Sequence, residues 1–165
     1  SILRRPNPAL NLLSVNQDLY SCYFSDDDIV RLRVSNAMKR VCREQPDWFI
    51  PFLDGLLYEI AKIEQASTQW TLANLFQMLW KSMDETRRSK AKELLKFNLE
   101  TWNDWIVLNN TMDSLAAWSS DDIELRNWLI PKLDKLKSDS RRSVSNRALK
   151  IHAQLSKFEA SCKTS

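Results

Sequence analysis

The chain has 165 residues, with 24 lysines and arginines against 21 aspartates and glutamates, and it contains a single glycine and a single histidine. Loops that cradle a phosphate need several glycines, because only glycine lets the backbone approach a pyrophosphate closely. The composition therefore excludes the dinucleotide-binding fingerprint and the P-loop. The single histidine argues against zinc sites built on paired histidines and against imidazole-rich catalysis. We expect no cofactor and no metal.

The three cysteines are irregularly spaced and form no Cys-x-x-Cys pair, which predicts reduced thiols in a cytoplasmic protein. No apolar run reaches the roughly 18–20 residues that a membrane span requires, so we expect no membrane partner.

Apolar residues recur three and four positions apart and β-branched alternation is missing, which predicts an all-helical chain. The clearest apolar stripe consists of Val30, Val34, Ala37, Met38 and Val41. Serine and aspartate residues at 25–28, and again at 119–122, predict an N-cap and an acidic first turn. The predicted helices run over 8–20, 27–43, 47–64, 68–81, 84–99, 103–117, 121–137 and 140–158.

A short segment recurs four times, each time around an asparagine, at Asn36, Asn74, Asn110 and Asn146. The intervals between these asparagines are 38, 36 and 36 residues. A unit of this length holds two helices of ordinary size, and such a pair must stack on its neighbours to bury its apolar face. We therefore predict an all-α fold, an α-α superhelix or solenoid of about four helix pairs. It forms a single domain over 1–165, with repeats over about 25–157 and flexible tails at 1–7 and 159–165.

These features resemble HEAT repeats, the helix-pair units of α-solenoids. The acidic turn at Asp27 and Asp28 followed by Val30-Arg31 matches the HEAT pattern, and so do Pro131 and Asp139, which are eight residues apart. The segment 104–144 is also similar to uncharacterised bacterial HEAT-repeat proteins. The resemblance implies a non-enzymatic protein-interaction or scaffold module, because HEAT arrays mostly serve as binding surfaces.

In a HEAT solenoid the second helix of each pair lines the concave surface, where the resemblance places the four asparagines. An amide side chain both donates and accepts hydrogen bonds, so a row of them can bind the backbone of an extended peptide. Armadillo-type peptide receptors resemble this arrangement, with a Trp-x-x-x-Asn motif that Trp70 and Asn74 match. The alternative is that the asparagines cap helices or bond locally. The candidate partner-binding residues are Asn36, Asn74, Asn110, Asn146, Arg33, Arg40 and Trp105.

A second hypothesis is a nucleic-acid-binding solenoid. The segment 140–158 contains no acidic residue and has a candidate basic patch formed by Arg141, Arg142, Arg147 and Lys150. A solvated helix face is the alternative interpretation of these charges.

The distant similarity to alkylpurine DNA glycosylases implies an enzyme only if a carboxylate stands four residues after a tryptophan. Asn109 occupies that position after Trp105, and Asp113 is the nearest acidic substitute. Whether the protein is an enzyme is therefore left open, with a non-enzyme favoured. His152 has no acid or nucleophile beside it in the sequence, which predicts a packed or exposed single histidine.

Overall fold

The structure of the protein, a computed structural model, describes the backbone of residues 8–162 and the side chains of residues 14–161. Over these residues every regular element is a helix and no β-strand forms, which confirms the all-α prediction. The α-helices of the described chain, joined by short turns and 3-10 helices, are α1 (Pro8–Ser21), α2 (Asp28–Glu44), α3 (Leu53–Tyr58), α4 (Ala66–Leu79), α5 (Glu85–Thr101), α6 (Trp105–Ser119), α7 (Ile123–Leu136) and α8 (Arg142–Cys162).

The main departure from the predicted helices lies within 47–64, where we expected one continuous helix. The chain instead forms a 3-10 helix over Pro46–Phe52, then α3, and then a second 3-10 helix over Ile60–Lys62. Pro51 has no backbone N–H to donate, and its ring crowds the preceding turn. The α-helical hydrogen bonds of this segment accordingly begin after the proline.

The end of α8 also differs, because the helix continues to Cys162 and includes residues 159–162 of the tail predicted to be flexible. The remainder of that tail, and the predicted tail at 1–7, lie outside the described residues.

The serine and aspartate clusters cap helices as predicted. Asp27 is the N-cap of α2, and its carboxylate accepts a hydrogen bond from the backbone N–H of Ile29 at 2.9 Å. Asp122 caps α7 in the same way and accepts from Leu125 at 2.9 Å. These bonds satisfy N–H groups that have no partner within the helix.

The chain divides into two compact units between Arg87 and Arg88, in the first turn of α5. The expectation that residues 1–165 form a single domain remains a prediction, because the two units can belong to one domain or to two.

In the first unit α2 packs against α4, and the 3-10 helix Cys22–Phe24 packs against α2. The hydroxyl of the buried Tyr23 shares a hydrogen bond of 2.7 Å with the Ser35 hydroxyl of α2, and burial raises the pKa of this tyrosine to about 12. The core side chains of this unit that are almost fully buried are Tyr23, Met38, Phe49, Leu56, Leu57, Ile60, Leu72, Leu75, Phe76 and Leu79.

In the second unit α8 packs against both α6 and α7, and α6 packs against α7. Its most buried apolar side chains are Leu95, Val107, Met112, Leu115, Leu129, Leu133, Val144 and Ala148. The unit therefore has its own core, formed along the apolar stripes of its helices.

The first unit also explains the single glycine of the chain. A β-carbon at Gly55 would lie 2.0 Å from the Tyr20 Oη and 2.7 Å from its Cζ. The Tyr20 ring is buried and stacked on Phe52 with ring centroids 5.1 Å apart, so it has little room to move. Gly55 is therefore required by the close approach of a side chain, and its backbone φ is not positive.

We expect Gly55→Ala to lower the free energy of unfolding by up to about 2 kcal/mol, measured by urea denaturation. Overpacking a core site costs about 1–3 kcal/mol, which exceeds the roughly 1 kcal/mol that alanine gains over glycine in helix propensity. Tyr20→Leu removes the obstructing ring atoms, so in that background Gly55→Ala should be neutral or stabilising. The same loss in both backgrounds would contradict the steric explanation.

Candidate functional site

Three predicted partner-binding residues lie on one exposed face of α2. Arg33, Asn36 and Arg40 are all exposed, and their spacing of three and four places them on one side of the helix. Ile29, one turn before Arg33, continues this face and is 56% exposed. We call these four residues the α2 face. Neither of its arginines forms an ion pair with any side chain of residues 14–161.

Two of the four repeated asparagines bond within their own helix. The Asn74 side-chain amide donates to the Trp70 carbonyl at 2.9 Å, and the Asn110 amide donates to the Ile106 carbonyl at 2.8 Å. Both residues are half-buried, whereas Asn36 and Asn146 are exposed. For Asn74 and Asn110 the structure therefore shows the local bonding that the sequence left open as an alternative.

The predicted residues of the second unit lie on α6 and α8. Trp105, in the first turn of α6, is 49% exposed. On α8, Arg142, Asn146 and Lys150 are exposed and follow one another at intervals of four residues, so they share one helix face. These three are the predicted binding residues of α8 that are exposed to a partner.

The candidate basic patch is largely engaged within the chain. Arg141 donates from its Nε to Asp139 Oδ1 at 2.9 Å, and its guanidinium also donates to the backbone carbonyl and side chain of Asn103. Arg147 of α8 forms an ion pair with Asp113 of α6. Of the four residues of the patch, only Arg142 and Lys150 remain exposed.

The residues weighed for glycosylase chemistry do not supply a free carboxylate. Asp113 is paired with Arg147, and Asn109 is a buried neutral amide four residues after Trp105. Among the described residues no group of three histidine, cysteine, aspartate or glutamate side chains is placed to hold a metal ion.

His152 has an acidic neighbour that its sequence context did not reveal. Its Nε2 lies 3.1 Å from Oδ1 of Asp134 on α7. The histidine has no acid beside it in the sequence, but the fold brings one to it from a neighbouring helix. The same carboxylate binds Lys137 at 2.6 Å, and Lys137 together with His152 holds the pKa of Asp134 below its usual range.

Ser156 completes a row of aspartate, histidine and serine, but it is not placed as a nucleophile. Its Oγ donates to the His152 backbone carbonyl at 2.8 Å and lies 3.5 Å from the ring nitrogen Nδ1, which is the limit of a hydrogen bond. The row therefore joins α7 to α8 and does not activate the serine.

An open groove that the sequence did not reveal lies between α5 and α7 in the second unit. The groove has a volume of about 310 Å³ and is lined by Leu99, Glu100, Lys132, Lys135 and Leu136. We call it the α5–α7 groove. The residues that line the groove have matched spacings on the two helices. These spacings could predict a groove only if the two helices were already known to be neighbours.

No helix within the described part of the chain combines the length and the apolar character needed to cross a bilayer.

No family model and no curated protein matches the chain.

The Asp139–Arg141 pair makes stability depend on pH in a defined direction. Hydrogen bonds from the Arg141 guanidinium and backbone N–H lower the pKa of Asp139 from 3.8 to about 2. A carboxyl whose pKa is lower in the folded state stabilises the fold above its unfolded pKa, and this contribution is lost as the pH falls from about 4 towards 2.

We expect Asp139→Asn to lower the free energy of unfolding at pH 7 by about 1 kcal/mol, after allowance for solvent screening. The difference from the wild-type protein should shrink as denaturation curves are measured from pH 5 down to about 2. Glu159→Gln, which removes an exposed acid of the same unit, is the matched control and should change little. A difference that is constant with pH would contradict the assigned pKa.

Proposed function

We propose that the protein is a non-enzymatic, cytoplasmic protein-interaction module, built as a HEAT-like α-solenoid of about four helix pairs. It binds a protein or peptide partner through the exposed faces of the second helices. The observation that carries this proposal is the α2 face, on which Arg33 and Arg40 flank Asn36 without any ion pair to the described side chains. Charged donors that the fold does not use are available for hydrogen bonds to a partner.

The packing within each unit supports the HEAT-like interpretation. In the first unit α2 lies against α4, and in the second α6 lies against α8, so helices two positions apart along the chain are neighbours. This is the arrangement expected when successive helix pairs stack and their second helices form one layer.

A protein partner is favoured over a nucleic acid by the state of the cationic side chains. Arg141 and Arg147, half of the candidate basic patch, are paired with Asp139 and Asp113. Trp105 of α6 and Ile29 of the α2 face are both exposed, and exposed aromatic and aliphatic side chains are typical anchors of protein interfaces.

The experiment is quantitative affinity capture from lysate of the source organism with three baits. The baits are the wild-type chain, the α2-face variant Arg33→Gln/Asn36→Ala/Arg40→Gln, and the control Lys62→Gln/Lys81→Gln, which removes two exposed charges elsewhere in the same unit. Each capture is run with nuclease, at about 50 mM and about 200 mM salt. The folding of every bait is checked by circular dichroism.

We expect a discrete protein that the wild-type and control baits recover equally and that the α2-face variant recovers at least about tenfold less, as when interface hot spots are removed. Trp105→Ala, tested in parallel, reports whether the second unit contributes to the same interface. Recovery that depends on nucleic acid and disappears at the higher salt would overturn the proposal in favour of phosphate binding. Equal recovery by all three baits would show that the α2 face is not the binding surface.

A further inference from the structure

The α5–α7 groove lies on a different pair of helices from the α2 face, and the five side chains that line it belong to two sets with matched spacing. On α5 the set is Lys92, Lys96, Leu99 and Glu100, and on α7 it is Trp128, Lys132, Lys135 and Leu136. Each set has the spacing i, i+4, i+7, i+8, so each occupies one face of its helix. Because residues of both sets line one cavity, the two faces border the same groove.

The wall of the groove is divided into an apolar floor and a cationic rim. Leu99 is buried and Leu136 is half-buried, whereas Lys135 is exposed and has no ion pair with any side chain of residues 14–161. Lys132 binds Glu100 across the groove at 2.6 Å. An apolar floor beside a cation that no acid neutralises is a surface that favours a ligand of opposite charge with an apolar part.

Lysines outnumber acids around the groove, towards the C-terminal ends of α5 and α7. The ammonium groups of Lys96 and Lys132 lie 5.1 and 5.3 Å from the centre of the Trp128 ring, which attracts both cations but carries no charge to neutralise them.

The acids near the groove leave this excess of positive charge in place. Glu100 is the carboxylate on the rim. Asp122 pairs with Lys92 towards the start of α7, and Asp134 binds Lys137 and His152. Within the lining of the groove, Lys132 and Lys135 therefore face one carboxylate, that of Glu100.

We propose that the α5–α7 groove binds an acidic peptide segment of a partner protein. Its aspartate or glutamate carboxylates pair with Lys132 and Lys135, and a neighbouring aliphatic side chain packs on Leu99 and Leu136. Both the rim and the floor contribute to the affinity. An apolar contact beside the ion pairs excludes water from them, and this strengthens the attraction between the charges.

The chemistry of the groove distinguishes a peptide from a nucleic acid. A polyphosphate chain would meet the Glu100 carboxylate on the rim and leucine side chains on the floor, neither of which it can bind. A peptide can match the groove residue by residue, with a carboxylate at each lysine and an aliphatic side chain at the floor.

The test is fluorescence polarisation of a labelled eight-residue peptide of alternating aspartate and leucine, titrated with the full chain. Two altered peptides accompany it, one with asparagine for aspartate and one with serine for leucine. The protein variants are Lys132→Gln/Lys135→Gln and the single Lys135→Gln, whose side chain makes no ion pair that the fold would lose. The control Lys62→Gln/Lys81→Gln removes the same charge from exposed positions in the other unit.

We expect the wild-type and control proteins to bind the acidic peptide equally and the double variant to bind about tenfold more weakly, since each partly exposed ion pair changes an equilibrium by a few-fold. The single variant should lie between them, and both altered peptides should bind more weakly than the parent peptide. If the double variant does not fold, the single variant and the altered peptides still test whether the groove binds the peptide.

Three results would overturn the proposal. They are undiminished binding by both lysine variants, equal affinity for the serine-substituted peptide, and tighter binding of a single-stranded oligonucleotide with the same number of charges. Absence of saturable peptide binding by the wild-type protein would overturn it as well. The α2-face variant should bind the peptide normally, so this test and that of the proposed function fail independently.

Discussion

In each unit two helices that alternate along the chain pack against each other, and this packing determines which of their side chains reach the surface. α4 covers α2 in the first unit, and α8 covers α6 in the second. On α2 Val34 and Met38 are buried, and Arg33 and Asn36 lie on the opposite, exposed side. The proposed partner surface is thus a consequence of the packing, because a helix with one buried stripe must present its remaining residues outward.

Polar contacts connect the helices at the edges of this packing. Arg31 of α2 donates from its Nε to Gln65 Oε1, immediately before α4, at 2.6 Å. In the second unit the Arg141 guanidinium, immediately before α8, bonds Asn103 immediately before α6. In each unit an arginine near the start of one of the two packed helices therefore binds an amide side chain near the start of the other. Such charge-assisted bonds are directional and fix the register of the two helices as well as their contact.

Much of the fold could be predicted from the sequence, because helix positions follow from local periodicity and the caps from short polar side chains. Pro51 and Pro131 show a limit of that reasoning. Pro51 precedes the start of α3, whereas Pro131 lies within α7, and the sequence around them does not predict this difference. The pairing of Asp134 with His152 and the groove at Lys132 depend on contacts between helices far apart in sequence. The exposure of Asn36 was predictable from its angle to the buried stripe, but the local bond of Asn74 depends on its side-chain rotamer.

The packing of α2 against α4 is tested most directly by a double-mutant cycle on Arg31 and Gln65, with unfolding free energies measured for the wild-type protein, Arg31→Met, Gln65→Met and the double variant. A charge-assisted hydrogen bond between the two predicts a coupling energy of about 1 kcal/mol or more. Additive effects of the two substitutions, with a coupling near zero, would contradict the contact and with it the stacking of alternate helices from which the exposed α2 face follows.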